Sequence, residues 1–301
     1  MSFIDKALEK AKTLHKKKTT ADSPPEAEPI FPPITPVSPL GLGDPEVVPP
    51  EISYSITRTV AVDPEIMRRN RLIAGGGEVA DAVAEGFKLL RTHILQRTKT
   101  ENKNTLMITG PQPGEGKTLT AINLAISIAQ EVNQTVLLVD ADLRAPSVHR
   151  YFGLETQEGL VDYLTAGVPI RDLLIHPQGL AKLVVLPGGR PATNAAELIN
   201  SPLMADLVQE LKHYYPNRYV LFDLPPLLAF ADSLAFAPLV DGIMVVVEAC
   251  KTSREDIERC REMLQKFNLL GFVLNKAESV SRKYDYQDDN LRWKEKLWLF
   301  K

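Results

Sequence analysis

The chain has 301 residues, 44% of them hydrophobic and 24% charged, with a formal net charge of −3. That is enough for one large α/β domain or two small ones, and a charge this close to zero gives no global electrostatic case for a nucleic-acid partner. Cys250 and Cys260 are the only cysteines; they lack metal-ligand spacing and make no disulfide framework, which points to a reducing cytoplasm. No run approaches the roughly 18 apolar residues of a membrane span and no signal peptide is visible, so membrane association is expected through a surface helix or a partner.

Residues 1–18, MSFIDKALEKAKTLHKKK, place Phe3, Ile4, Ala7, Leu8, Ala11 and Leu14 on one face of a helix and lysines on the rest. Such a basic amphipathic helix can lie on anionic lipid or dock in a groove. Residues 19–77 read as a Pro-rich, largely disordered linker, with ten of the 23 prolines between Pro24 and Pro50. A folded domain is expected over 78–280, and 281–301 form a tail. The domain opens with a helix over 78–98, where Val79, Val83, Phe87, Leu90 and Ile94 recur at three- and four-residue steps.

Residues 105–118, TLMITGPQPGEGKT, then run an apolar strand into a Gly- and Pro-rich loop and a long apolar helix. This is the spelling of a phosphate-binding P-loop. Gly114 and Gly116 allow backbone N–H groups to turn onto phosphate oxygens, and the helix N-terminus adds partial positive charge there. Lys117 can reach the β- and γ-phosphates of a nucleotide, and the Thr118 hydroxyl can ligate Mg²⁺. Pro111 stands where the common pattern has its first Gly, and Gly110 is one place early.

Beyond the loop, near-continuous apolar runs at 135–140, 183–186, 219–223, 243–247 and 271–275 read as strands. Helices are expected at 118–131, 158–165, 195–213, 231–239 and 253–267. The alternation predicts a doubly wound, mostly parallel α/β sheet. Two of the strands end in aspartate: VLLVDADLR supplies Asp140, Asp142 and Arg144, and YVLFDLPP supplies Asp223. Ligands bind at the carboxyl ends of strands in open parallel sheets, so these carboxylates are expected to converge on the P-loop near a Mg²⁺ held by Thr118. One carboxylate more than the ion needs is free to act as a base. Asn275, closing the last strand, is placed to meet an adenine edge or to form a turn.

PGEGKT, VLLVDADLR and YVLFDLPP together resemble the three Walker-type motifs of the bacterial tyrosine kinases, the autokinases of exopolysaccharide and capsule loci, over roughly residues 80–280. The opening MSFIDKALEKAK and the Pro-rich tether resemble the subgroup linked to exosortase-type clusters. The resemblance implies a P-loop NTPase fold of the deviant-Walker (SIMIBI, ParA/MinD-like) type. It implies ATP and Mg²⁺ as cofactors and phosphoryl transfer to tyrosines of neighbouring subunits in a ring-like homo-oligomer. Pro113, Gly114, Glu115, Gly116, Lys117, Thr118, Leu119 and Asn275 would bind the nucleotide. Thr118, Asp140 and Asp223 would form the metal shell. Lys117, Asp140, Asp142 and Arg144 would be catalytic, with Asp142 the base for the tyrosine hydroxyl.

Glu85, Lys88 and Arg91 resemble the family's ExxRxxR subunit-contact motif, with Lys88 in place of Arg. Asn194 to Leu198 resemble its NPxEL stretch, with Ala195 in place of Pro. The family's tyrosine-rich tail is reduced here to Tyr284 and Tyr286 as acceptors, followed by the apolar-aromatic LRWKEKLWLFK. A membrane-anchored chain-length or polysaccharide co-polymerase is the implied activator, and the inner face of the plasma membrane the implied location. The alternatives are a positioning ATPase of the ParA/MinD type, against which Gln112 stands where those proteins carry a signature Lys, and a regulatory nucleotide-binding module.

Overall fold

The computed structural model describes residues 57–76, 78–99, 103–180, 182–214 and 217–277. The amphipathic helix expected over 1–18, the proline-dense part of the linker and the tail with Tyr284 and Tyr286 lie outside these residues.

Eight strands form one sheet: β1 (Arg58–Val60), β2 (Thr105–Thr109), β3 (Thr135–Asp140), β4 (Ile175–Pro177), β5 (Leu183–Leu186), β6 (Arg218–Asp223), β7 (Gly242–Glu248) and β8 (Leu269–Asn275). Their order is β1-β4-β5-β3-β6-β2-β7-β8. Every neighbouring pair is parallel except β4–β5, so the expected mostly parallel sheet is what forms. The middles of the central strands β2, β3 and β6 are apolar and buried, Leu106–Ile108, Val136–Val139 and Val220–Phe222, as expected where helices cover both faces.

The helices are α1 (Pro64–Arg69), α2 (Glu78–Thr98), α3 (Lys117–Ala129), α4 (Val148–Tyr151), α5 (Leu160–Ala166), α6 (Ile170–Leu173), α7 (Ala195–Ile199), α8 (Pro202–Tyr214), α9 (Asp232–Phe236) and α10 (Arg254–Met263). Helix α3 is apolar almost all round and is buried on nearly every side, with Ala121, Ile122, Leu124, Ala125 and Ile128 at 0% exposure. A helix of this kind has to lie inside the fold, and it fixes the phosphate loop at its N-terminus to the core.

The structure corrects two sequence expectations. Residues 57–76, read as the end of the linker, carry β1, α1 and a short 3₁₀ turn at Ile73–Gly75. Helix α1 starts where Asp63 accepts a hydrogen bond from the Glu65 amide at 2.8 Å, with Pro64 in the first turn. The helix expected over 195–213 breaks in two at Ser201-Pro202: Pro202 lacks an N–H and disfavours a helical Ser201, and the Ser201 hydroxyl caps α8 by accepting from the Met204 amide at 3.2 Å. Strands β1 and β4, three residues each, are too short to show periodicity.

The early segment is stitched to α3 by one buried side chain. Asn123, 1% exposed, accepts from the Ile73 amide at 3.0 Å and donates to the Arg71 carbonyl at 3.1 Å. Arg71 itself has φ +60°, a left-handed conformation that needs such support. Asn123→Ala leaves the Ile73 N–H buried and unpaired. It should cost roughly 2 kcal/mol and lower the melting temperature by about 4–8 °C. A melting temperature within about 1 °C of the unaltered protein would show that the stitch contributes nothing.

Candidate active site

The phosphate loop joins β2 to α3. Gly110 is essential one place before the usual first glycine, because a Cβ there would sit 2.6 Å from the Val246 carbonyl and 2.7 Å from Glu115 Oε2. Pro111 is buried, and its carbonyl accepts from the Leu228 amide at 3.2 Å. Gly114 and Gly116 have φ of +84° and +90°, which only glycine adopts without strain. A Cβ on Gly114 would meet nothing within 4 Å, so its backbone angle, not crowding, calls for glycine there. Lys117 begins α3 and is 8% exposed; Thr118 and Leu119 are half-buried; Pro113 is exposed. Glu115, expected among the nucleotide-binding residues, has its side chain engaged by its own surroundings. It is 1% exposed, with one oxygen accepting from the Gln112 amide at 2.8 Å and the other from the Thr252 hydroxyl at 2.6 Å.

The aspartates arrive where expected. Asp140 and Asp223 end β3 and β6 and stand opposite one another in register, both at 0% exposure. One Asp140 oxygen accepts from the Ser147 and Val148 amides at 2.8 and 2.9 Å. The other has no partner, and neither Asp223 oxygen meets a well-aligned donor. Burial and the charge of Asp223 hold the Asp140 carboxyl well above the usual carboxylate range. Burial pushes Asp223 up to about 7, while the Thr118 hydroxyl and the Lys117 ammonium beside it pull the other way. Asp142, half-buried on the loop after β3, is also raised by burial, against the Ala145 amide and the nearby Lys117. Among the described residues no group of three His, Cys, Asp or Glu side chains gathers closely enough to hold a metal; the site offers the Asp140–Asp223 pair with Thr118.

Other predicted residues take partners that sequence reasoning did not foresee. Arg144 donates through Nε to Asp232 at 3.0 Å and stacks on Phe230 with its guanidinium carbon 4.4 Å from the ring centre. Asp232 is 1% exposed, and its second oxygen has no partner. Asn275, half-buried at the end of β8, donates to the Glu115 carbonyl at 2.8 Å, and the next residue, Lys276, donates to the Gly114 carbonyl at 2.8 Å. Phe230, Asp232, Thr252 and Lys276 were missed because none belongs to a motif; only the topology brings the first two to Arg144 and the last two to the loop.

In the contact motif, Glu85 and Lys88 are exposed and pair with each other at 2.6 Å. Arg91 turns inward instead, donating to the Ser127 carbonyl at 2.8 Å and pairing with Glu131 at 2.9 Å, both at the C-terminal end of α3. Tyr219 is 4% exposed and shares a hydrogen bond of 2.7 Å with Thr98, so it is a core residue.

Residues 106–296 match the family model described as the CobQ/CobB/MinD/ParA nucleotide-binding domain. The chain is 35% identical over 221 residues to tyrosine-protein kinase YwqD of Bacillus subtilis, covering 73% of this chain and 91% of that protein. It is 31% identical over 224 residues to tyrosine-protein kinase CpsD of Streptococcus agalactiae, covering 73% and 95%. The solved kinase domain of Escherichia coli tyrosine kinase ETK superposes with a TM-score of 0.61 at 29% identity, covering 67% of this chain and 79% of that one. Phosphate loop, registered aspartates and these relatives together establish that the chain belongs to the bacterial tyrosine-protein kinases, built on the CobQ/CobB/MinD/ParA nucleotide-binding domain.

Proposed function

We propose that this chain transfers the γ-phosphoryl group of ATP to tyrosine hydroxyls of neighbouring copies of itself, and so regulates exopolysaccharide synthesis or export. The observation that carries the reading is the pair of wholly buried carboxylates, Asp140 and Asp223, registered across neighbouring strands with Asp223 beside Lys117 and Thr118 of the phosphate loop. Amides of the loop and the Lys117 ammonium bind and orient the phosphates. Asp142 lies beside that lysine with its pKa raised by burial, and a raised carboxylate is a better acceptor for a hydroxyl proton. Arg144, held by Asp232 and Phe230, is a fixed positive charge that the transferring group can meet. Asn275 lies at the rim of the nucleotide site.

The donor set fits Mg²⁺. Asp140 and Asp223 present oxygens without partners, and Thr118 adds a hydroxyl, a sparse all-oxygen set of the sort that ion prefers. When bound, Mg²⁺ neutralises charge on the phosphates and between the two carboxylates. Transfer between subunits is supported by the exposed Glu85 and Lys88 on α2, the proposed edge of a ring-like homo-oligomer. The acceptors are Tyr284 and Tyr286 of the tail. Among the described residues no helix is long and apolar enough to cross a membrane. The proposed place is the cytoplasmic face of the plasma membrane, reached through residues 1–18 or a membrane-anchored co-polymerase that also activates the kinase.

Lys117→Met should abolish phosphotyrosine when purified protein is incubated with MgATP and mapped by mass spectrometry; unchanged labelling would sink the kinase reading. Tyr284→Phe with Tyr286→Phe should remove most of the label, and undiminished labelling would move the acceptors elsewhere. The carboxylate pair also sets a pH dependence. With its carboxyl raised to about 7 in the fold, Asp223 keeps its proton in the folded chain while the unfolded chain has already lost it. Stability of the metal-free protein should therefore fall as pH rises from about 4 to 7. Asp223→Asn should flatten that fall in urea midpoints, and parallel curves for the two proteins would count against it.

A further inference from the structure

The convex side of the phosphate loop is held by the residues that end β8. Asn275 Nδ2 donates to the Glu115 carbonyl at 2.8 Å, and Lys276 Nζ donates to the Gly114 carbonyl at 2.8 Å. These are consecutive peptide groups. In a planar trans peptide the C=O and the N–H of the following residue point in opposite directions. Fixing the Gly114 carbonyl toward Lys276 therefore aims the Glu115 N–H away from it. Fixing the Glu115 carbonyl toward Asn275 does the same for the Gly116 N–H. Among the described residues neither of these N–H groups has an acceptor.

The clasp is itself braced. Lys276 also pairs with Glu248 at 3.0 Å, at the end of the adjacent strand β7. Its own backbone is left-handed, with φ +56°, a conformation that costs a lysine free energy and persists only where surroundings impose it. Gly116 carries no Cβ where the Asn275 amide packs against it. The Glu115 side chain, locked between the Gln112 amide and Thr252, keeps the intervening residue from rotating.

We propose that Asn275 and Lys276 are positioning residues for the nucleotide: by holding two loop carbonyls outward they aim the Glu115 and Gly116 amides at a terminal diphosphate before it arrives. This rests on the nucleotide reading above. Asn275 then acts on the phosphates through the loop and does not read the base.

The test is binding, measured by calorimetry with MgADP, MgGDP and AMP on the full chain and on Asn275→Ala, Lys276→Met and Lys276→Arg. Asn275→Ala and Lys276→Met should each weaken MgADP and MgGDP by the same factor, about tenfold, the loss expected for one hydrogen bond to a charged or well-fixed donor. AMP, which has no diphosphate, should change less than twofold, and Lys276→Arg should recover most of the loss because it keeps a cationic donor. Neither a purely structural role nor base reading gives that pattern. The first would move AMP with ADP, and the second would move adenine against guanine. Either result, or MgADP affinities within twofold of the unaltered protein in both variants, would overturn the positioning role alone. Failure of the unaltered protein to bind MgADP would overturn the nucleotide reading with it.

Discussion

Two carboxyl groups that water cannot reach, placed side by side on neighbouring strands so that ionising both is costly, are the constraint around which this domain is arranged. Asp140 and Asp223 are registered across β3 and β6, and a low-dielectric interior makes their repulsion expensive. The fold offsets part of it locally. The amides that follow Asp140 turn back onto it, and Lys117 from α3 comes close to Asp223. The rest is left open: one Asp140 oxygen has no partner and neither Asp223 oxygen meets a well-aligned donor. Buried polar atoms are nearly always paired in folded proteins, so an unpaired set at a strand end marks where binding energy is to be recovered. The apolar middles of the central strands and the immersed helix α3 provide the stability against which this local cost is tolerated.

What the sequence disclosed follows from periodicity and from chemistry confined to a few consecutive residues. Apolar runs covered on both faces announce central parallel strands, and Gly114 to Thr118 together with Asp140 and Asp223 announce the site. Partner choice was not legible. Asn275 bonds a residue 160 positions earlier, Arg144 one 88 positions later, and Thr252 reaches Glu115 across 137; such pairings depend on strand order, which local patterns do not encode. The shift of the first loop glycine to Gly110 had a physical reason invisible in the string, the close approach of β7 and the Glu115 carboxylate. Short elements escaped for want of length, as β1 and β4 show.

Helix α2 divides its duties by face. Arg91 is spent on the end of α3, where a cation suits the partial negative charge of a helix C-terminus, and Arg97 donates to the Leu270 carbonyl on β8. The first and second motif positions, Glu85 and Lys88, remain outward. One helix thus braces the helix that carries Lys117 and the strand that carries Asn275, while its far side stays available.

The strand order has a consequence for how the chain enters and leaves. Among the described residues the first strand, β1, and the last, β8, are the two outermost of the eight. Seven spacings of about 4.8 Å separate them, about 34 Å along an untwisted sheet. The described chain therefore begins at one border of the sheet and ends at the other. The border at which it ends is also the one that clasps the phosphate loop, through Asn275 and Lys276.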